Sequence, residues 1–243
     1  MLMSLAVVTA YVGVAAGAAM VVGSPILGTV VGDGIAVAVI GVARVARPRW
    51  FAVGRPIQPW HWSLWNSSAI VCGAVFAFAA GQSMALWLYE LGGSTTFDES
   101  VQFKRNAGEA ATLLTLVVAP IAEEMVFRGL LYPLLRMKVG VTAAAAASAM
   151  IFGLVHGNLV QFLFTVPLSV LAALVREHTG AVWPCVVLHI TFNLAATLIP
   201  AQVLAILANP VPALLLTLAF TACVLLVHRK NVALPEDKRV NLR

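Results

Sequence analysis

Residues 113–135 read LLTLVVAPIAEEMVFRGLLYPLL, an apolar stretch that is interrupted near its middle by two glutamates and an arginine. An α-helix needs about 20 apolar residues to cross a hydrocarbon core of about 30 Å, and this stretch has that length. An ionisable side chain at such a depth costs about 2.5–3.5 kcal/mol on insertion scales and usually faces the interior of a helix bundle. The stretch therefore predicts a membrane-spanning helix that carries a polar site.

The composition of the whole chain is that of a membrane protein. Of its 243 residues, 61% are hydrophobic and 10% are charged, against about 45–50% and 25% in soluble domains. The charges are clustered, so the apolar runs between them predict an all-α polytopic bundle of about eight spans. The sequence predicts a single membrane domain, residues 1–243, with a basic tail at 228–243. The predicted spans are 3–23, 25–45, 67–91, 111–134, 141–157, 159–175, 181–199 and 203–227.

The basic residues indicate how the chain is oriented in the membrane. The net charge is +5, but most lysines and arginines lie in short loops and in the tail, so they indicate topology rather than nucleic-acid binding. With the N-terminus in the cytoplasm, only Lys104 and Arg105 fall on the opposite side. Both termini are therefore predicted to be cytoplasmic, and the composition favours a bacterial inner membrane. The predicted cytoplasmic residues are Arg44, Arg47, Arg49, Arg55, Arg136, Lys138, Arg176, Arg229, Lys230, Lys238, Arg239 and Arg243.

Helical spacing divides the three polar residues of the opening stretch. Glu124 and Arg128 stand at i and i+4 and can pair on one helix face, whereas Glu123 is turned about 100° away. One carboxylate can then be neutralised by Arg128 while the other stays free, and a free carboxylate in a low-dielectric site suits a general base. Glu123 is the candidate base. For Glu124 and Arg128, a polar clamp that only fixes helix packing is the favoured interpretation.

His156 raises a question of depth in the membrane. It ends the predicted fifth span, in FGLVH, and the turn-forming pair Gly157 and Asn158 follows it. A lone histidine at a span end is more often an interfacial residue than a ligand. If the fifth span crosses fully, His156 lies near the outer face while Glu123 lies near mid-membrane. A shorter fifth and sixth pair that turns at Gly157 and Asn158 inside a polar cavity would bring the two side chains together.

His189 and Asn193 stand one helical turn apart on one face of the predicted seventh span, in HITFN. Histidine and asparagine can donate hydrogen bonds to a developing oxyanion, or hold a water or a metal. With a carboxylate and two imidazoles on separate spans, the chain carries the groups that water-activating or metal-assisted hydrolysis requires. One further acid, Asp33, falls in the string VGDG at 31–34 and is interpreted as part of a loop.

At these residues the sequence resembles the CPBP family of intramembrane proteases, which contains the type II CAAX prenyl endopeptidases and bacteriocin-processing or immunity proteins. The three motifs of that family occur in order on separate apolar segments, and the resemblance covers residues 111–199. The motif EExxxR is met by Glu123, Glu124 and Arg128, the motif FxxxH by Phe152 and His156, and the motif HxxxN by His189 and Asn193.

The resemblance implies an eight-span helical fold and a glutamate-dependent endopeptidase. By this resemblance, Glu123 and His156 activate a water. His189 and Asn193 correspond to the pair that stabilises the oxyanion. The ion pair of the first motif supports the site, as does Phe152 of the second.

The resemblance also implies a candidate metal site and a substrate class. Catalytic zinc sites use three protein ligands plus water, so Glu123, His156 and His189 are candidate ligands for zinc or another divalent cation. The predicted function is hydrolysis of a peptide bond in a membrane-associated polypeptide, either a prenylated CAAX-type protein or a leader peptide. Two alternatives stay open, a non-catalytic immunity-type protein of the same fold and a proton-coupled transporter. The sequence identifies neither the substrate nor the oligomeric state.

Overall fold

The structure, a computed structural model, describes residues 2–53, 64–106 and 113–232, and over these residues it consists of helices without a strand. The predicted all-α bundle is thereby confirmed. One helix, α5, is a composite of four consecutive segments, and a short 3₁₀ turn, Pro48–Phe51, follows α2. The helices are α1 Leu2–Val22, α2 Pro25–Ala46, α3 Leu64–Gly92, α4 Thr95–Asn106, α5 Leu114–Val118 with Ala119–Glu124, Met125–Leu131 and Tyr132–Arg136, α6 Val141–Leu154, α7 Leu159–Thr179, α8 Trp183–Leu198, α9 Ala201–Leu207 and α10 Pro210–Val232.

The apolar character of these helices is that of an integral membrane protein. Three stretches are long and apolar enough to cross a membrane by length and composition, and four shorter apolar helices accompany them. Many large apolar side chains are exposed on the outside of the bundle, as lipid-facing side chains are. The three long stretches are Leu27–Ala46, Ser67–Gly92 and Leu159–Thr179, and the shorter ones are Ala6–Val22, Val141–Leu154, Trp183–Leu198 and Pro210–Leu226.

The helices differ from the predicted spans at two places. The predicted span 203–227 is divided between α9 and α10, because Pro210 can begin a helix but removes a hydrogen bond from the interior of one. The sequence predicts no helix between the third and fourth spans, yet α4 lies there. The Ser94 hydroxyl accepts a hydrogen bond from the Phe97 N–H at 3.3 Å and so caps α4.

Helices α1 and α2 form a hairpin that is closely packed at its glycines and alanines. A Cβ atom added at Gly28 would lie 2.2 Å from the Ala19 Cα, and one added at Gly32 would lie 2.7 Å from the Ala15 Cα. Only glycine permits so close an approach at these two positions. Small residues four apart bring membrane helices into backbone contact in the same way.

The prediction of a loop at residues 31–34 is wrong. Asp33 lies within α2 and is 1% exposed, and its Oδ1 accepts a hydrogen bond from the Tyr11 hydroxyl of α1 at 3.0 Å. The neighbouring Gly32 serves helix packing and not a turn. Tyr11 supplies the hydrogen-bond partner that a buried acid requires.

Helix α5 lies between the α1–α2 hairpin and α8. On the hairpin side, Val126 and Phe127 join an apolar cluster with Val8 of α1 and Ile40 of α2. On the other side, the segment Ala119–Glu124 contacts α8. A second apolar cluster connects α3, α7 and α8 through interlocking phenylalanine rings. The middle of α5, with its two glutamates, therefore packs against helices that precede it and helices that follow it in the chain.

Helix α6 is too short to cross a membrane alone. It has 14 residues and is about 21 Å long at 1.5 Å per residue, against a hydrocarbon core of about 30 Å. The chain then turns through Gly157, whose φ is +78°, and Asn158 caps α7 by accepting a hydrogen bond from the Gln161 N–H at 2.8 Å. The expected shortening is therefore found in α6, the predicted fifth span, whereas α7, the predicted sixth span, has 21 residues. His156 lies on a turn that begins before a full crossing is complete.

Candidate active site

Glu124 is the centre of a buried ionic cluster. Its Oε1 accepts hydrogen bonds from Arg128 Nη1 at 3.0 Å and from His189 Nδ1 at 2.9 Å. Glu124 and Arg128 are fully buried, and His189 is 4% exposed. The i, i+4 pair predicted from helical spacing is formed. It also extends to a residue on α8, which spacing alone could not show.

The helix that carries Glu124 is wound unevenly. Its segments Leu114–Val118 and Met125–Leu131 are π-helical, and the α-helical segment Ala119–Glu124 lies between them. π-Helical turns are rare and occur frequently at functional sites. The second π-helical segment begins directly after Glu124, so the first motif spans the change of winding.

This change of winding leaves the backbone carbonyl of Arg128 without a donor in its own helix. The Tyr132 N–H bonds to the Phe127 carbonyl, and the next residue, Pro133, has no N–H. Arg176 of α7 donates from its Nε to the Arg128 carbonyl at 2.9 Å. A side chain therefore replaces the missing backbone donor, as a carbonyl buried in a membrane protein requires.

Phe152 connects the three motifs. Its ring is fully buried, and the Arg128 Cζ lies 4.9 Å from the ring centre, in cation–π geometry. The same ring meets the imidazoles of His156 and His189 edge-on, at 5.0 and 5.8 Å between centroids. Arg128 also donates from Nη2 to the Ser169 carbonyl at 3.1 Å. Phe152, predicted as a supporting residue, thus holds one side of the guanidinium in place.

His189 presents its two ring nitrogens to two different carboxylates. Because Nδ1 faces the Glu124 carboxylate, it carries a proton. Nε2 lies 3.8 Å from the Oε2 of Glu123, too far for a direct hydrogen bond and suited to a contact through water. The Glu123 side chain is 21% exposed, whereas that of Glu124 is 0% exposed. Glu123 is therefore the carboxylate that a water or a substrate can reach.

His156 and Asn193 stand at the edge of this cluster, and both are half-buried. His156 Nδ1 lies 2.8 Å from the backbone carbonyl of Phe152, so it carries a proton and donates to that oxygen. Asn193 follows His189 by one turn on α8. The structure brings the first motif, Phe152 and His189 into direct contact, joins His156 to them through the Phe152 ring, and places Asn193 beside them on α8.

Two residues beside Glu123, Tyr11 and Asp33, are absent from the predicted site. Both lie within electrostatic range of the Glu123 carboxylate, because α2 packs against the segment that carries it. A signal for Asp33 exists in the sequence, since an acid within an apolar membrane segment is rare and usually functional. The glycines on both sides of Asp33 indicate a turn and obscure that signal.

The candidate metal ligands do not form a three-residue set in this structure. Across the part of the chain that the structure describes, no group of three or more His, Cys, Asp and Glu side chains is arranged to hold a metal ion. Glu123 and His189 approach each other to 3.8 Å, which supplies two of the three ligands that a catalytic zinc uses. Ligation by these two residues together with His156 stays a prediction.

Comparison with known proteins agrees with the three motifs. Residues 107–195 match the family model described as Type II CAAX prenyl endopeptidase Rce1-like, close to residues 111–199, which carry the resemblance in the sequence. A relative from Bacillus subtilis (strain 168), named "Putative membrane peptidase YdiL", is 23% identical over 120 residues, which cover 49% of this chain and 49% of the relative. The chain thus matches about half the length of this relative. No solved structure matches the chain significantly. The predicted resemblance to the CPBP family is confirmed.

Proposed function

We propose that this chain, whose residues 107–195 match the model of the type II CAAX prenyl endopeptidase Rce1-like family, is a membrane-embedded endopeptidase that uses Glu123 to activate water. The arrangement around Glu124 carries the proposal. One buried carboxylate holds His189 so that its second nitrogen faces Glu123, while Arg128 neutralises that carboxylate. Motifs from separate helices thereby meet around one accessible carboxylate, the geometry expected of a base with its supporting groups.

The proposed role of His189 requires a hydrogen on each of its two ring nitrogens. A neutral ring that carries its proton on Nδ1 can only accept at Nε2, whereas the imidazolium donates at both nitrogens. In the proposed mechanism His189 therefore donates from Nε2 to the oxyanion on the substrate carbonyl.

Glu123 acts as the base in this mechanism. It takes a proton from a water whose oxygen attacks the carbonyl carbon of the scissile peptide bond, and His156 helps to hold that water. The oxyanion that forms accepts hydrogen bonds from His189 and Asn193. When the C–N bond breaks, the proton on Glu123 passes to the nitrogen of the departing amine, and the carboxylate is restored.

The proposed substrate is a membrane-associated polypeptide. The matched family is named for prenylated CAAX substrates, so a prenylated CAAX-type protein is the first candidate and a leader peptide the second. The distribution of lysine and arginine supports cytoplasmic termini, and the composition favours a bacterial inner membrane. We treat residues 1–243 as one membrane domain, and most of the basic tail at 228–243 lies outside the described residues.

The proposal is tested by comparing the membrane-associated peptides of cells that carry the wild-type protein or Glu123→Gln. Glutamine has nearly the same shape as glutamate but cannot serve as the base. We expect at least one peptide that is cut only by the wild-type protein. The control variant is Glu90→Gln, which changes an exposed glutamate of α3. Cells that carry it should show the same cleaved peptides as wild-type cells.

Other outcomes would support the alternatives. Identical peptides in wild-type and Glu123→Gln cells would remove the protease assignment and favour an immunity-type protein. Solute or proton flux into proteoliposomes that depends on Glu123 would favour a transporter.

A further inference from the structure

Asp33 is a buried acid with a hydrogen bond from the described residues to only one of its two carboxylate oxygens. It is 1% exposed, and its Oδ1 accepts the hydrogen bond from the Tyr11 hydroxyl. Its Oδ2 is enclosed and makes no hydrogen bond with any residue that the structure describes. A buried acceptor without a partner is destabilising, and more so when it is charged. The second oxygen of Asp33 therefore lacks a donor among the described residues.

This oxygen belongs to a carboxylate beside the proposed base. Helix α2 packs against α5, and Asp33 lies within electrostatic range of Glu123. The Tyr11 ring packs edge-on against Phe127 at 6.4 Å between centroids, and Phe127 packs in the same way against Phe152 at 4.9 Å. Rings in contact thus connect the Tyr11–Asp33 pair to the second motif.

The position of the carboxylate is fixed from two directions. The close contact of Gly32 with Ala15 sets the register of α1 against α2, and the Tyr11 hydrogen bond ties one oxygen of Asp33. A side chain held on rigid helices with one oxygen committed presents the other oxygen in one direction. Such preorganisation is typical of a binding group.

We propose that Asp33, oriented by Tyr11, binds a main-chain N–H of the polypeptide substrate next to the scissile bond. The inference rests on the proposed function and adds a substrate-binding residue to it. A peptide that enters a low-dielectric site loses water from its N–H groups, and each of them then needs an acceptor. His189 and Asn193 supply donors for the peptide carbonyl. Asp33 supplies the complementary acceptor from α2, which packs against the Ala119–Glu124 segment of α5.

The experiment uses the full-length protein in proteoliposomes and a synthetic copy of the peptide whose cleavage depends on Glu123. The main-chain N–H groups that flank the cleaved bond are replaced one at a time by ester oxygens, each of which removes one donor. With the wild-type protein, one ester should raise KM roughly tenfold to a hundredfold, the loss expected for a hydrogen bond to a charged group, with kcat little changed.

The Asp33 variants identify which donor Asp33 binds. Asp33→Ala should raise KM for the unmodified peptide by a similar factor. The ester that raises KM with the wild-type protein should then cause no further rise in KM, because the interaction is already absent. Asp33→Asn, which keeps an acceptor oxygen and the shape of the side chain, should show a reduced ester effect. It also serves as the variant to use if Asp33→Ala does not fold.

The chain provides a matched control pair. The Tyr89 hydroxyl donates to the Asp98 carboxylate at 2.7 Å, as in the buried pair, but on the exposed surface. Tyr89→Phe and Asp98→Ala should leave KM and kcat unchanged. Tyr11→Phe keeps the ring against Phe127 and removes only the hydroxyl, so it should raise KM by a smaller factor than Asp33→Ala.

Two results would overturn the inference and leave the proposed function standing. One is an equal set of ester effects in the wild type and in both Asp33 variants. The other is a fall in kcat with an unchanged KM in Asp33→Ala, which would assign the residue to the chemical step or to the fold. The absence of any cleavage that depends on Glu123 would overturn the proposed function, and this inference with it.

Discussion

His189 Nδ1 and Glu124 Oε1 belong to residues 65 positions apart in the chain and lie 2.9 Å from each other between α8 and α5. This hydrogen bond gives two adjacent glutamates different roles. Glu124 is committed to His189 and Arg128, whereas Glu123 meets the other edge of the imidazole at 3.8 Å. We expect substitution of Glu124 to lower mainly the stability and substitution of Glu123 to lower mainly the cleavage activity.

Glu124→Gln should lower stability more than Glu123→Gln. Glu124 is one half of a fully buried ion pair with Arg128, and removing one partner of such a pair costs about 3–5 kcal/mol. Glu123→Gln should abolish cleavage with a melting temperature close to that of the wild type. Thermal melting in detergent measures the difference, with Glu90→Gln as the control. Equal losses of melting temperature in the two variants would contradict the assigned roles.

Phe152→Leu should reduce cleavage beyond what its loss of stability explains. Leucine fills much of the same space but has no ring face for Arg128 and no edge for His156 or His189. The control is Phe78→Leu, which changes an equally buried ring that packs against other phenylalanines. Both variants should lose about 1–3 kcal/mol of stability. Only Phe152→Leu should lower kcat/KM of the folded fraction, and a parallel loss in Phe78→Leu would argue against a specific role.

Arg176→Lys should destabilise the protein through the backbone of α5. The arginine donates from Nε to the Arg128 carbonyl at 2.9 Å and from Nη2 to the Phe51 carbonyl at 2.8 Å. A lysine ammonium lacks the planar fork that reaches both acceptors, so one carbonyl loses its partner at a cost of about 1–3 kcal/mol. Hydrogen exchange of α5 and the melting temperature measure the effect, with the exposed Arg44→Lys as the control. An unchanged Arg176→Lys would show that the Arg128 carbonyl is satisfied in another way.

The two glycines that flank Asp33 should respond in opposite directions to alanine. A Cβ at Gly32 would lie 2.7 Å from the Ala15 Cα, whereas a Cβ at Gly34 would meet nothing within 4 Å. Gly32→Ala should therefore push α1 from α2 and lower the melting temperature. Gly34→Ala should raise stability by up to about 1 kcal/mol, the difference in helix propensity. A stabilising Gly32→Ala would contradict the packing described for the hairpin.

Local spacing predicts only part of the candidate site. The lengths of the apolar runs locate the helices, and the i, i+4 spacing locates the pair of Glu124 and Arg128. The contact between Glu124 and His189 depends on how α5 packs against α8, and no local pattern encodes it. The motifs of the resembled family assign both residues to one site without showing which atoms meet.

Asp33 illustrates what local patterns cannot decide. Glycines beside an aspartate favour a turn in an isolated segment, because glycine relaxes the backbone and aspartate bonds to nearby N–H groups. In α2 the same Gly32 permits contact with Ala15, and the acid finds its partner 22 positions away in Tyr11. The packed hairpin decides between the two outcomes. The winding of α5 is a second feature that local patterns do not decide. Pro133 explains why the Arg128 carbonyl lacks a backbone donor only once the π-helical segment is known.

The α1–α2 hairpin lies outside the residues that match the family, 107–195, yet it covers the side of α5 that carries Phe127 and contributes Tyr11 and Asp33. A fragment trimmed to the matched residues would keep every motif but lose the apolar packing of the hairpin against Phe127, together with Tyr11 and Asp33. With Asp33 in its proposed role, exchange of α1 and α2 between related proteins should change the peptide preference while leaving the three motifs unaltered.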